Sequence, residues 1–226
     1  MQNKKLMLTA LAVLMTTVIS GCDESNSLSS SNNNSTSNVI INEVTEAIWK
    51  ENLTIENNNF TMKCETTNDG VKSDEHTYVT NDKIMMNAKT TGNADVTILF
   101  VKSDTGCYQY TLQSSGEWKK DNYPEEAFSA NMVNLCVFTT FKDEYSKFQY
   151  ISSSKYYELD SYTFEIGEGE NKVHSDFSNI KIGFEDGKLN FVGFSVTVVY
   201  SFVTTGGTYT IDNFGSTTID MPTNIK

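Results

Sequence analysis

The sequence predicts an α+β fold: a curved antiparallel sheet, or half-barrel, with a short N-terminal helix and a central helix packed on the concave face. Many short segments alternate apolar and polar residues between clusters of Asn, Asp, Gly and Ser, as antiparallel strands with one buried face do. One mid-chain segment breaks this pattern, because its apolar residues recur at threes and fours. A meander interrupted by one apolar helix favours a sheet with that helix against one face.

The strand pattern is clearest in the second half of the chain. Residues 189–202 alternate strictly, and Asp186-Gly187 before them predicts a two-residue hairpin turn. We expect another turn at 205–208, where two glycines stand between threonines, and a last strand that ends at Pro222. The other predicted strands cover 60–66, 76–80, 83–88, 95–102, 107–112, 156–166, 180–184 and 209–214.

Two helices are expected. Residues 39–50 place Ile40, Val44 and Ile48 on one stripe at helical spacing. Residues 125–150 form either one helix or two helices broken near Thr139-Thr140, since their apolar residues keep helical spacing after a proline and two glutamates.

The N-terminus has the features of an export signal. Lys4 and Lys5 precede an apolar run over 6–19, which is shorter than the ~20 residues that span a bilayer. Ile19-Ser20-Gly21-Cys22 then resembles the lipobox of bacterial lipoproteins. That resemblance implies cleavage of a signal peptide over 1–21 and attachment of diacylglycerol to Cys22. The alternatives are an ordinary signal peptide with a chance cysteine, or an uncleaved anchor.

A polar spacer follows the predicted lipidation site. Twelve of the sixteen residues in 23–38 are Ser or Asn, which predicts a flexible tether because so polar a segment cannot offset its ordering entropy. Lipid on Cys22 would hold the chain at the extracytoplasmic face of the cell membrane. A single domain is expected over 39–226.

The charge of the chain excludes some partners. It contains 17 lysines, no arginine and 29 acidic residues, for a net charge of −12. Without Lys4 and Lys5 the mature chain carries about −14, since 15 lysines then face the same 29 acids. Such a surface repels nucleic acid and anionic headgroups, so the membrane is an expected partner only through the lipid anchor.

No sequence motif indicates catalysis, and we expect neither an enzyme nor a cofactor. Gly-x-Ser-x-Gly, His-Glu-x-x-His and P-loop patterns are missing from the sequence. His76 and His174 could serve a metal or a base, although solvent-facing histidines are the preferred interpretation. The acidic stretches 121–126 and 165–170 lack EF-hand spacing, so no metal is expected.

Three cysteines remain beyond Cys22. Cys64 and Cys107 both fall in alternating segments and could face each other on one side of the sheet, which would permit a disulfide in an exported chain. Cys136 lies in the apolar helical segment, where a small buried hydrophobe is expected. Free thiols are the favoured prediction.

The order of elements resembles a known architecture. The lipobox, Glu46-Ala47-Ile48-Trp49, Gly116-Glu117-Trp118 and the ladder over 180–222 together resemble half-barrel proteins such as the lipoprotein carrier LolA and the LppX/LprG-type lipoproteins. The resemblance covers about residues 40–222. It implies a hollow between sheet and helices that holds acyl chains.

The apolar residues of the central helix are the candidate ligand site. If the protein binds a ligand, these side chains line an apolar cavity under the curved sheet. If they are only core residues, they fill that space. They are Phe128, Met132, Leu135, Phe138 and Phe141. The first reading predicts a protein that binds or carries a lipid or other apolar ligand. The second predicts a structural, adhesion or envelope-interaction lipoprotein without a ligand cavity.

Overall fold

A computed structural model of the chain describes residues 44–68, 71–166, 173–200 and 203–226. The predicted signal peptide, Cys22, the tether and residues 39–43 lie outside the described residues. Within the described ranges, no helix is long and apolar enough to cross a membrane.

Most of the described chain is β-strand. Helix α1 covers Glu46–Asn52, and helix α2 covers Glu125–Leu135. Two 3-10 helices follow α2, at Val137–Phe141 and Tyr145–Lys147. The strands are β1 Phe60–Asn68, β2 Val71–Thr80, β3 Lys83–Thr90, β4 Val96–Ser103, β5 Gly106–Leu112, β6 Trp118–Tyr123, β7 Gln149–Ile151, β8 Tyr156–Ile166, β9 Val173–Glu185, β10 Lys188–Tyr200 and β11 Val203–Asp212.

These strands form one open antiparallel sheet in the order β6-β5-β4-β3-β2-β1-β11-β10-β9-β8-β7. The first and last strands meet in its middle, where Met62 pairs with Ile211 and Cys64 with Tyr209. The two edge strands, β6 and β7, are therefore consecutive in sequence, and residues 124–148 connect them. We call these residues the crossover segment. The predicted antiparallel sheet with few helices is confirmed.

The two faces of the sheet differ in what they bury. Phe60, Val79, Ile84 and Phe100 share one register across β1 to β4 and belong to the main hydrophobic core, which also contains side chains of the crossover segment. We call this side the core face. The opposite, outer face carries a smaller cluster, formed by Leu99, Val101, Tyr110 and Ile219.

The central helix is shorter than predicted. It ends at Leu135, and the chain leaves helical geometry at Cys136 (φ −79°, ψ 41°), earlier than the predicted break near Thr139-Thr140. The next five residues form a 3-10 helix and contain only β-branched and aromatic side chains, which are weak helix formers. Burial of Phe138 and Phe141 outweighs helical periodicity here.

The turn predicted at 205–208 is wrong, because these residues lie inside β11. This strand is central, flanked by β1 and β10. A Cβ on Gly206 would lie 2.5 Å from the carbonyl oxygen of Val196, and one on Gly207 would lie 2.9 Å from that of Glu65. The two glycines therefore serve close strand packing, which has the same local sequence signature as a turn.

Two further elements differ from the prediction. Strand β6 was not predicted, since its lysines, aspartate and asparagine hide the alternation of an exposed edge strand. Residues 213–226, expected to end in a strand at Pro222, are instead an extended strap that reaches from the centre of the sheet to β6. The strap places Ile219 in the outer-face cluster and forms one parallel bridge, Trp118 with Ile225.

All three cysteines in the described ranges are buried and free. Cys64 and Cys107 do lie on the core face, but three strands separate β1 from β5. At ~4.8 Å per strand their backbones lie about 19 Å apart, far beyond disulfide reach. The expectation that they face each other is wrong, whereas the preference for free thiols agrees with the structure.

Candidate functional site

The five predicted ligand residues lie together in the main core. Phe128, Met132 and Leu135 are on one side of α2, and Phe138 and Phe141 belong to the first 3-10 helix. All five are buried in the same cluster as sheet residues, and Phe138 and Phe141 have no exposed surface. That these side chains line a ligand cavity stays a prediction.

Aromatic contacts connect the crossover segment to several strands. Phe138 packs edge-on against Phe60 at 5.6 Å between ring centroids and against Phe214 at 5.5 Å. Phe141 packs against several further rings. Its partners are Phe148 at 5.9 Å, Tyr162 at 5.8 Å, Phe177 at 5.5 Å and Phe194 at 6.3 Å. The first 3-10 helix therefore contacts both halves of the sheet.

One carboxyl group is buried on the same face. Glu75 of β2 alternates with Thr77 and Val79 on the core face, and only 8% of its surface is exposed. The Thr77 hydroxyl donates a hydrogen bond to Oε1 of Glu75 across 3.1 Å. Burial raises the pKa of Glu75, and the Thr77 bond opposes that rise. Among the described residues, no cation pairs with this carboxyl.

Glu75 stands at the end of a row that crosses the centre of the sheet. Register places it opposite Cys64, Cys64 opposite Tyr209, and Tyr209 opposite Phe194. A hydrogen bond joins the Tyr209 hydroxyl and the Cys64 thiol, and Tyr209 stacks on Phe194 at 5.1 Å. Because Phe194 also contacts Phe141, this Glu75 row reaches the predicted ligand residues.

The environment of this row keeps the Cys64 thiol and the Tyr209 hydroxyl neutral. Burial raises the pKa of Cys64 to about 12, and the charge of Glu75 adds to that rise. Burial likewise raises the pKa of the Tyr209 hydroxyl, with smaller contributions from Cys64 and Glu75. An apolar face that carries a few convergent polar groups is the usual form of a small-molecule site.

Sequence reasoning missed Glu75. It lies between Asp74 and His76, and the predicted strand begins only at His76, which leaves Glu75 in the polar connection before it. The alternation of Glu75 with Thr77 and Val79 was the available signal. Its burial depends on long-range pairing of β2 with β1 and β3.

Other buried polar atoms lie around the core. Oγ of Ser175, on the core face of β9, and Oδ1 of Asn134, in α2, are buried without a hydrogen-bond partner within the described part of the chain. The neighbouring Asn131 is satisfied, since its Nδ2 donates to the Tyr123 hydroxyl across 2.9 Å. The core of this protein therefore contains unsatisfied acceptors in an apolar setting.

Both histidines lie at the surface, on the outer face. His174 contacts Glu165 through Nδ1 at 2.8 Å and Asp176 through Nε2 at 2.9 Å. The hydrogen bond that the protonated ring donates to Glu165, and then the one that it donates to Asp176, raise the pKa of His174. His76 has a carboxylate partner, Asp74, at 3.3 Å. Over the described ranges, three or more metal-ligating side chains do not come together anywhere.

An open depression of about 440 Å³ lies at the ends of β1 to β3. Its lining is polar and carries both signs of charge, including Lys72, Asp74, Lys89 and Asp95. None of the five predicted ligand residues belongs to it. Such a lining does not suit an apolar ligand.

Comparison with protein-family models, with curated proteins and with solved structures found no significant match.

Proposed function

We propose that this protein is an extracytoplasmic lipoprotein, held to the cell membrane by lipid on Cys22, whose half-barrel domain binds or carries a lipid or other apolar ligand. The lipobox-like residues before Cys22 and the polar tether behind it support the anchor. The resemblance to LolA and to LppX/LprG-type proteins supports the ligand class.

The half-barrel itself is part of the proposal. Open, strongly twisted sheets rarely exceed about ten strands without curling, and this sheet has eleven in the described residues. The main core lies on one face only, and the crossover segment contributes seven buried apolar residues to it, including the five predicted ligand residues. We infer that the sheet curves around this segment and that the ligand lies between them.

The observation that carries the proposal is the buried Glu75 carboxyl on the apolar core face. Burying a carboxyl group costs free energy. A buried carboxyl is therefore more typical of a functional site than of a core that only packs. Thr77 alone among the described residues bonds to it. An apolar chain on this face would contact the aromatic residues, and Glu75 would contact its polar end.

Native mass spectrometry tests the ligand. The mature chain carrying Cys22→Ser, prepared without residues 1–21, is exposed to vesicles of phosphatidylethanolamine and phosphatidylglycerol and then separated from them. A retained lipid mass is the expected result. A bare protein mass after this exposure contradicts lipid binding.

Membrane fractionation of the full chain tests the anchor. Cys22→Ser should leave uncleaved precursor or release protein without acyl chains, because the lipid acceptor is gone. Ser20→Thr, which keeps Cys22, is the control and should remain membrane-bound and lipidated. A mature Cys22→Ser protein that still partitions into detergent would overturn the assignment.

A structural or interaction lipoprotein without ligand is the second candidate. The complete burial of Phe138 and Phe141 favours it, since side chains with no exposed surface fill space and leave none beside them. A bare mass in the vesicle experiment supports this candidate.

A further inference from the structure

We propose that Glu75 and Thr77 form the polar anchor of the ligand site and select a long-chain amphiphile whose headgroup is an amine. This inference rests on the proposed function and names the ligand class of the same site.

The position of Glu75 suits a headgroup at the end of an apolar chain. On the core face its register neighbours are Cys64 in β1 and Ala88 in β3, and Thr77 and Val79 follow it along β2. The Glu75 row then leads through aromatic contacts to Phe141. A ligand with its head at Glu75 would place its chain against these side chains, which are buried in this structure.

The charge of Glu75 selects among headgroups. It is the only acidic or basic residue among the buried residues of the described chain, and no lysine is buried beside it. A carboxylate or phosphate headgroup would place a second negative charge against it at high cost. A hydroxyl gains one hydrogen bond, whereas an ammonium gains a charge-assisted hydrogen bond in a poorly screened setting.

The carboxyl group of Glu75 can still contact a ligand. Thr77 bonds to one carboxylate oxygen, and 8% of the residue remains accessible. In a purely structural role, Glu75 would stay protonated and contribute only the bond with Thr77. Ligand headgroup preference separates these two roles.

Isothermal titration with three matched probes measures this preference. Decylamine, decanol and decanoate share one alkyl chain, and each is titrated below its micelle concentration into the mature Cys22→Ser chain near neutral pH. Decylamine should bind at least about tenfold more tightly than decanoate, a difference of ~1.4 kcal/mol, with decanol between them.

Glu75→Gln tests the residue. It keeps the shape and a hydrogen-bond acceptor but removes the charge, so the three affinities should converge to within about threefold. Glu65→Gln, on the exposed outer side of β1, is the matched control and should keep the decylamine preference. Circular dichroism establishes that both variants fold.

The unsubstituted side chain gives a second measurement, which stands even where Glu75→Gln does not fold. As the pH falls through the raised pKa of Glu75, the carboxyl gains a proton and the preference for decylamine over decanol should disappear. Cys64 and Tyr209, its titratable neighbours on β1 and β11, keep their protons throughout because their pKa values are raised. Met86 and Ala88 face it from β3 and do not titrate.

The outcomes separate the two proposals. If no probe binds, the ligand-binding function itself is refuted. If all three bind with equal affinity, or if Glu75→Gln keeps the decylamine preference, binding stands and the Glu75 anchor is refuted. A preference for decanoate would also refute the anchor.

Discussion

The indole N–H of Trp49 donates a hydrogen bond to the backbone carbonyl of Phe141 across 3.0 Å, and both side chains have no exposed surface. Trp49 belongs to α1 and Phe141 to the crossover segment, 92 residues further along the chain. The same indole packs against Phe148 at 4.9 Å and Tyr157 at 5.4 Å. This contact fixes the N-terminal helix on the segment that crosses the core face.

Replacing Trp49 should therefore destabilise the domain strongly. Trp49→Phe leaves the Phe141 carbonyl buried without a donor and should cost ~1–3 kcal/mol, and Trp49→Ala should cost ~3–5 kcal/mol. Urea denaturation followed by circular dichroism measures both changes. Trp118→Phe, at the sheet edge, is the control and should cost less than about 1 kcal/mol. Equal losses at the two tryptophans would contradict this account.

The glycines of β11 should not tolerate a side chain. Gly206→Ala and Gly207→Ala each place a Cβ under 3.0 Å from a neighbouring backbone oxygen, and we expect each to cost ~1–3 kcal/mol. The midpoint of chemical unfolding reports this cost. Thr204→Ala, at an exposed position of the same strand, should change stability by less than about 0.5 kcal/mol. If neither substitution lowers stability, the close packing of these glycines inside β11 is contradicted, and the turn predicted at 205–208 is favoured instead.

The C-terminal strap should contribute to stability through Ile219. Ile219 is 7% exposed in the outer-face cluster, so Ile219→Ala should cost ~2–4 kcal/mol. Ile225→Ala, at a position 44% exposed, should cost less than about 1 kcal/mol. Thermal and urea unfolding distinguish the two variants. If Ile219→Ala had no effect, the strap would not cover the outer face in solution.

His174 should make stability depend on pH. Its pKa is raised by Glu165 and Asp176, so the protonated ring stabilises the folded state. This contribution is fully present below the unfolded value of about 6.5 and is lost as the pH rises through the raised folded pKa. NMR titration of the ring should show the elevated pKa, and His174→Gln should flatten the stability profile in that window. His76→Gln should leave the His174 titration in place.

The three buried thiols should resist modification in the folded protein. Burial raises the pKa of Cys64 and of Cys136 to about 12 and also raises that of Cys107, which leaves very little thiolate at mildly alkaline pH. Mass spectrometry after iodoacetamide treatment of the mature Cys22→Ser chain should find no label without urea and three labels with it. Rapid native labelling of any one thiol would show that its site opens to solvent.

Local sequence patterns predicted the turns and strands that depend only on neighbouring residues. Asp186 and Gly187 take positive φ angles of 50° and 74°, as the hairpin signal required, because a tight two-residue turn needs left-handed backbone. The strand over 156–166 was predicted with its observed bounds. Over 161–165 its side chains alternate between exposed and half-buried positions, and such alternation is a property of neighbouring residues.

The candidate site depended on contacts between distant residues. The apolar pattern of 125–150 indicated Phe138 and Phe141, but not that they would follow a helix ending at Leu135. The alternation of Glu75 with Thr77 and Val79 indicates a shared strand face, but the local sequence does not show that this face is buried. Only the pairing of β2 with β1 and β3 places it on the core face.

The sequence alone predicts an export signal and a tether. It also determined the charge, the antiparallel strands and the apolar crossover segment, because composition and short-range periodicity decide these features. The tertiary structure decided that β1 and β11 join at the centre, that Gly206 and Gly207 lie inside a strand, and that Glu75 is buried. The physical reason is that strand order and burial depend on which distant segments pair, and local periodicity carries no information about that choice.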